Sequence, residues 1–172
     1  MPGSRLIRQV AVLLRTLCKM LSGVWRSSTR QLPADVRPDE PLSNFVFRPD
    51  QVDRKTNSIR HTRLMPRRNP ESQRLEVSVC RSSGLREEQV WAICSSHFDP
   101  KAPKPTIGRG VGPASVVYVQ NLDFDADGKP YPEHANIIVW HDEGGRPDSE
   151  LKHFWIDQAQ KMAPHFSYMP RS

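Results

Sequence analysis

The sequence predicts an α+β protein in which a short sheet is covered by two helices and is preceded by a separate N-terminal amphipathic helix and linker. Two observations carry this prediction. Strand-like and helix-like apolar patterns occupy the chain after residue 43, whereas the first 34 residues contain no acidic side chain. A length of 172 residues with 37% hydrophobic residues fits one ordinary domain with a tail.

Residues 1–25 predict a basic amphipathic helix, because apolar side chains recur at helical spacing and most cations lie off that stripe. Arg15 and Lys19 interrupt the apolar run, which argues against a secretory signal and a membrane span. We expect the helix to meet a partner protein or an anionic membrane surface; a mitochondrial-type presequence is a third interpretation. Two alternatives would leave the helix without such a partner: the helix packs on its own domain, or translation starts further downstream. The stripe consists of Leu6, Val10, Leu13, Leu14, Leu17, Met20, Leu21 and Val24.

The net charge of +6 lies ahead of Asp35, the first acidic residue. Six of the 25 lysines and arginines precede it, so the rest of the chain holds as many cations as its 19 carboxylates. A neutral body does not favour a protein whose whole surface binds nucleic acid.

Residues 26–43 predict a flexible linker, because three prolines and many polar residues leave almost no apolar periodicity. The small α+β domain is expected over residues 44–164, and residues 165–172 form a short tail. Cys18, Cys80 and Cys94 show no metal-ligand spacing, which predicts a reducing compartment. Cys80 and Cys94 belong to a predicted strand and a predicted helix, so both are expected to be small core residues.

The first half of the domain predicts two strands and a helix. Residues 44–48 form a short apolar run, and residues 74–80 alternate between apolar and polar side chains as a half-buried strand does. Turn residues and two glutamates then open a helix over about residues 85–95. Residues 97–113 are rich in proline and glycine and predict a long loop.

The second half predicts two further strands and a closing helix. Residues 116–120 and 135–140 are the most apolar segments, and the latter is expected to be the central strand, buried on both faces. Residues 148–162 place apolar side chains on one side of a helix, which Pro164 ends.

The only cluster of cations in the body lies at residues 54–68, where no acidic residue intervenes. Arg63, Arg67 and Arg68 are its candidate phosphate ligands, and Arg109 is a further one because it stands in a glycine-rich stretch. The plainer interpretation is a solvated arm or strand edge, since no aromatic residue is interleaved for base stacking.

Glu133 and His134 are the candidate catalytic residues. A histidine beside a carboxylate at the entrance to a strand suits general base chemistry, with Glu133 orienting the imidazole. His141 lies on the opposite face of the same predicted strand, so the two histidines do not form a metal pair. A satisfied structural histidine is the plainer interpretation.

Asp123, Asp125, Asp127 and Gly128 repeat the opening half of a calcium-binding loop. The second half is absent, because His134 stands where the bidentate glutamate belongs. The three aspartates are a metal candidate, and the alternative interpretation is that Asp127 and Gly128 form a hairpin turn.

Residues 130–140, PYPEHANIIVW, resemble a segment of a group of small bacterial proteins in which proline precedes His-Ala-x-Ile. The resemblance extends over about residues 58–163. It implies a bacterial origin and a single compact domain, and it implies no activity.

We therefore expect a non-enzymatic accessory or interaction module that is cytoplasmic, with peripheral association with a membrane. No cofactor is expected, and the oligomeric state is left open. The alternative is a small hydrolase or nuclease in which His134 is the general base and nearby arginines bind an anionic substrate. Nucleic acid is a partner that the charge distribution does not favour.

Overall fold

The computed structural model describes residues 32–140 and 148–171, except for the side chain of Asp148. The predicted N-terminal helix and the first part of the predicted linker lie outside these residues. Within them, nine antiparallel strands form one sheet. The strands are β1 (Pro41–Val46), β2 (Val52–Asp53), β3 (Ser58–Ile59), β4 (Arg67–Arg68), β5 (Leu75–Arg81), β6 (Gly108–Pro113), β7 (Asp123–Asp125), β8 (His134–Ile138) and β9 (Ser167–Pro170).

The order of neighbouring strands is β2, β3, β9, β6, β1, β5, β8, β7, and β4 pairs with β5 outside this path. Three helices accompany the sheet in the described residues: α1 (Glu87–His97), α2 (Ser115–Tyr118) and α3 (Asp148–Met162). Short 3₁₀ turns occupy Pro49–Gln51, His61–Arg63, Asp99–Lys101 and Ala163–His165.

The predicted fold class is therefore wrong. The described part of the chain is rich in sheet, with nine strands and three short helices, where the sequence predicted a short sheet covered by two helices. The strands β5 and β8 and the helices α1 and α3 lie within a few residues of their predicted positions. The error comes from segments whose composition hides a strand, and from very short strands that carry no periodic signal.

The strand β6 lies within residues 97–113, for which the sequence predicted a loop. The glycines that suggested the loop instead allow β6 to pack closely against neighbouring elements. A Cβ atom at Gly110 would come within 2.5 Å of the Ile59 side chain, and one at Gly112 within 2.7 Å of the His165 carbonyl oxygen. Only glycine lets the neighbouring layer approach this closely. The strand pairs with β1 along its whole length, so it stands at the centre of the sheet.

The strand predicted at residues 116–120 is a single helical turn, α2. Val117 is fully buried, whereas the Val119 side chain is 75% exposed. In a strand these two side chains would share one face, so the burial follows the helix. The strand β8, expected at the centre of the sheet, lies between β5 and β7, next to an edge.

The fold also extends beyond the predicted domain bounds. The strand β1 begins inside the predicted linker, and β9, which pairs with β3 and β6, falls in the predicted tail. Val36 and Glu40, both from the predicted linker, are buried. Residues 32–43 therefore pack as part of the domain.

Apolar side chains form two clusters. The larger cluster joins alternate residues of β1, β5 and β8, such as Leu42, Val79 and Ile137, to residues of α3 that include Trp155. The smaller cluster lies beneath α1 and consists of Phe45, Cys80, Val90, Cys94 and Tyr131. Since Leu42 and Phe45 on β1 belong to different clusters, both faces of the central strand are covered.

A buried ion pair attaches the segment before β1 to the end of β5. Arg81 donates to both carboxylate oxygens of Glu40 at 2.8 and 2.9 Å, and each side chain is at most 3% exposed. Arg81 also donates to the carbonyl oxygens of Pro33 and Asp35. The guanidinium is satisfied by groups that precede β1, so the pair fixes where β1 enters the sheet.

We expect Glu40→Gln to lower the free energy of unfolding by roughly 3 kcal/mol, because the Arg81 charge would remain buried without its counter-ion. Urea denaturation at neutral pH measures this loss. Glu88→Gln removes an exposed carboxylate from α1 and is expected to leave the midpoint nearly unchanged. A loss for Glu40→Gln no larger than that of the control would contradict the structural role of the pair.

Candidate anion-binding cleft

A cleft of about 770 Å³ opens on the side of the sheet where α1 lies. Its charged lining residues come from three separate parts of the chain. Among the described residues, every one of them is a cation and none is a carboxylate. The cations are Arg48, Arg63, Arg67, Lys101 and Lys104, with His97 and His134 beside them.

Arg63 is positioned by the central strand. Its Nε donates to Asn44 Oδ1 at 3.1 Å, and Asn44 Nδ2 in turn donates to the Ser78 carbonyl oxygen at 3.3 Å. The guanidinium lies over the Phe47 ring, 5.2 Å from its centroid. Burial, together with the positive charges of Arg67 and Arg48, lowers the pKa of Arg63 to about 10. The protein thus holds a desolvated cation among like charges.

Arg48 enters the cleft from the turn after β1. The buried Gln51 side chain accepts hydrogen bonds from the backbone N–H groups of Phe47 and Arg48, at 2.9 and 3.2 Å, and so fixes that turn. The Arg48 side chain lies 3.3 Å from Asp50, but both are largely exposed and Asp50 does not line the cleft. Such an exposed pair leaves most of the arginine charge available.

Asp99 holds the segment that carries Lys101 and Lys104. Its Oδ1 accepts from the Thr106 backbone N–H at 2.9 Å and from Thr106 Oγ1 at 2.6 Å, and its Oδ2 accepts from Arg171 at 2.7 Å. Burial by itself would raise the pKa of Asp99, but these hydrogen bonds and the Arg171 charge outweigh it, so the pKa is lowered.

Aromatic side chains lie beside the cations. Phe47, Phe98, Tyr131 and His97 line the cleft, and Phe47 and Phe98 are only half-buried. Phe98 packs on Phe45 with ring centroids 4.7 Å apart, so its position is set by the smaller core cluster. The cleft therefore offers ring faces as well as positive charge.

A second depression, of about 380 Å³, adjoins the cleft. Phe47, Arg63, Arg67, Ser78 and Phe98 line both of them. Because they share these residues, the two depressions together form one groove, which is larger than a single small ion needs. The second depression adds Arg68, Asn69 and Glu76, among other residues, to the lining.

His134 is held by an aspartate. Its Nδ1 lies 2.9 Å from Asp127 Oδ1, which also accepts from the Lys129 backbone N–H at 3.0 Å. Burial would raise the pKa of Asp127, but these hydrogen bonds and the Lys129 charge outweigh it and lower the pKa. The sequence assigned this orienting role to Glu133, whose described contact is through its backbone carbonyl oxygen to the Arg81 N–H.

The other predicted anion ligands separate into two groups. Arg68 lines the adjoining depression and donates to the Gln73 carbonyl oxygen at 2.6 Å. Arg109, in contrast, does not line the groove: it is buried on β6, where it donates to Ser43 Oγ at 2.8 Å and pairs with Glu87. Its role is structural, because these side chains already neutralise and position the guanidinium.

The basic cluster at residues 54–68 is divided by the fold. Arg54, Lys55 and Arg60 lie at a separate depression that Asp50 and Asp53 also line. The cluster is therefore not one continuous surface, and only its C-terminal part faces the groove.

The three aspartates of the partial calcium pattern do not converge on one point. Each of them has its own hydrogen-bond or ion-pair partner. Asp125 pairs with Arg74 at 2.5 Å, and Asp127 with His134. Asp123 lies on β7 and accepts from the Phe124 backbone N–H. No three histidine, cysteine or carboxylate side chains within residues 32–140 and 148–171 converge as metal ligands would.

Both cysteines that the structure describes are buried. Burial raises the pKa of Cys80 to about 12 and that of Cys94 to about 11. Thiols of this kind are poor nucleophiles, so neither contributes chemistry to the cleft.

Comparison with known proteins gives no match: no family model, no curated protein and no solved structure is significantly similar to this chain. In the part of the chain that the structure describes, no helix has the length and apolar character needed to cross a membrane. Functional conclusions therefore depend on the geometry of the groove.

Asp99→Asn is expected to destabilise the protein at neutral pH and to matter progressively less as the pH falls below about 4. The pKa of Asp99 is lower in the folded protein than in the unfolded chain. The carboxylate therefore stabilises the fold fully at pH values above its unfolded-state pKa, and this contribution is lost as the pH falls through its folded-state pKa. Urea denaturation of both proteins at several pH values measures the difference. A difference in stability that stays constant from pH 7 to pH 3 would contradict this assignment; Asp157→Asn, an exposed change on α3, is the control.

Proposed function

We propose that the groove binds a phosphate-bearing ligand. One observation carries the proposal: in the described part of the chain, the charged residues that line the cleft are all cations. Cations held together without carboxylates repel one another, and an anion relieves that repulsion. Arginines add paired N–H donors that match phosphate oxygens.

The chemistry of the groove favours single-stranded nucleic acid. Phe47 and Phe98 expose part of their rings next to Arg63 and Arg67, so a base has an aromatic face close to the cations that would hold its phosphate. The second depression adjoins the cleft, so the groove offers space for more than one nucleotide. Stacking tolerates any base, so little sequence preference is expected.

A separate role for the predicted helix at residues 1–25, docking on a partner protein or on an anionic membrane surface, stays a prediction. Those residues lie outside the described structure. Binding in the groove does not require that role and would be compatible with a non-enzymatic accessory function.

The proposal is tested by removing two exposed arginines from the groove. Arg48→Gln/Arg67→Gln is expected to weaken binding of a fluorescent single-stranded oligonucleotide at least tenfold, since two phosphate contacts are lost. The slope of log K against log salt should become shallower by about 1.4. Fluorescence anisotropy over a salt series measures both quantities.

The matched control is Arg54→Gln/Arg60→Gln, which removes the same charge from exposed arginines of the same cluster that lie at the other depression. Near wild-type affinity is expected. Equal weakening by the two double variants would mean that diffuse charge attracts the oligonucleotide. No binding by the wild type at low salt would overturn the proposal.

A further inference from the structure

His134 has the arrangement of an oriented general base. Its Nδ1 is hydrogen-bonded to Asp127 Oδ1. A carboxylate accepts the bond, so this contact favours the tautomer that carries its proton on Nδ1 and leaves a lone pair on Nε2. Nε2 has no hydrogen-bond partner among the described residues, although His134 lines the cleft. The accepting nitrogen is therefore free to meet a ligand.

His97, the last residue of α1, lines the same cleft. The Tyr131 ring packs near both histidines: its centroid is 4.8 Å from the His97 ring and 5.4 Å from the His134 ring. The imidazole centroids are consequently at most about 10 Å apart, and both rings line the cleft in which the phosphodiester of a ligand would lie.

We propose that His134 and His97 form a catalytic pair that cleaves single-stranded RNA bound in the groove. This inference rests on the proposed binding function and extends it to a reaction. His134 is assigned as the base because Asp127 orients it, and His97, the other histidine of the cleft, as the acid.

The reaction is a transesterification. His134 Nε2 takes the proton of a ribose 2′-hydroxyl, whose oxygen attacks the adjacent phosphorus. The bond from phosphorus to the 5′ oxygen breaks, and the leaving oxygen takes a proton from the His97 imidazolium. The products are a 2′,3′-cyclic phosphate and a 5′-hydroxyl, so the nucleophile and the leaving group both come from the RNA.

The arginines supply the remaining contribution. Negative charge accumulates on the non-bridging phosphate oxygens in the transition state, and Arg63 is held at the groove by Asn44 and Phe47 before the ligand arrives. A preorganised, partly desolvated cation stabilises such charge more strongly than a mobile lysine does. Asp127 is a positioning residue, because it acts through the His134 ring.

The test uses the full chain with a labelled RNA oligonucleotide and the all-deoxy oligonucleotide of the same sequence. The wild type is expected to cleave the RNA to a cyclic phosphate and a 5′-hydroxyl, and to bind the DNA without cleaving it. His134→Gln and His97→Gln should each lower the cleavage rate at least ~100-fold while affinity for the DNA stays within about threefold. Asp127→Asn should lower kcat with KM unchanged, as expected for a positioning residue.

The control is His153→Gln, which replaces an exposed histidine of α3 and is expected to cleave at the wild-type rate. A contaminating ribonuclease would instead show as cleavage that survives in the His134→Gln and His97→Gln preparations. Wild-type protein that binds the DNA but leaves the RNA intact would overturn the catalytic inference alone. Absence of DNA binding would overturn the proposed function as well. Unchanged cleavage by both His134→Gln and His97→Gln would overturn the assignment of the pair.

Discussion

The hydrogen bonds of the Asn44 side chain join the centre of the sheet to the groove. Asn44 is almost fully buried on β1, and its amide connects a carbonyl of β5 to the Arg63 guanidinium. On β1, Leu42 and Ser43 pair with β5, and the Asn44 side chain makes the next contact between the two strands. A buried amide needs partners, and here these partners are the elements that form the groove.

The groove concentrates positive charge at a cost in stability. Arg63 is partly desolvated next to Arg67 and Arg48, and that environment lowers its pKa. Elsewhere in the described structure the same residue type is paired: Arg81 with Glu40 and Arg109 with Glu87. Arg63 differs from these two arginines, because the charged groups that act on it are the cations Arg67 and Arg48. Unrelieved repulsion of this kind is typical of sites that bind anions.

The sequence predicted elements with strong periodicity and missed those that depend on tertiary contacts. The alternation of apolar and polar residues located β5. The glycines of β6 indicated a loop instead, because their close packing against Ile59 and His165 appears only in the folded chain. Arg63, Arg67 and His134 were found as candidates from local charge and neighbours. Arg48, Lys101 and Phe98 were not, because they meet the others only in the folded chain. Arg109 was predicted as an anion ligand, but its burial and its carboxylate partner cannot be read from a glycine-rich stretch.

Backbone amide NMR shifts of the labelled protein, titrated with a short single-stranded oligonucleotide, test the central claim most directly, because they locate the bound ligand without altering a residue. The largest shifts are expected at Phe47, Ser78, Phe98 and Lys101, which border the groove from separate elements. The claim that the groove binds the ligand would be contradicted if the shifts were concentrated at residues 54–60 or before residue 32, while the amides of the groove did not shift.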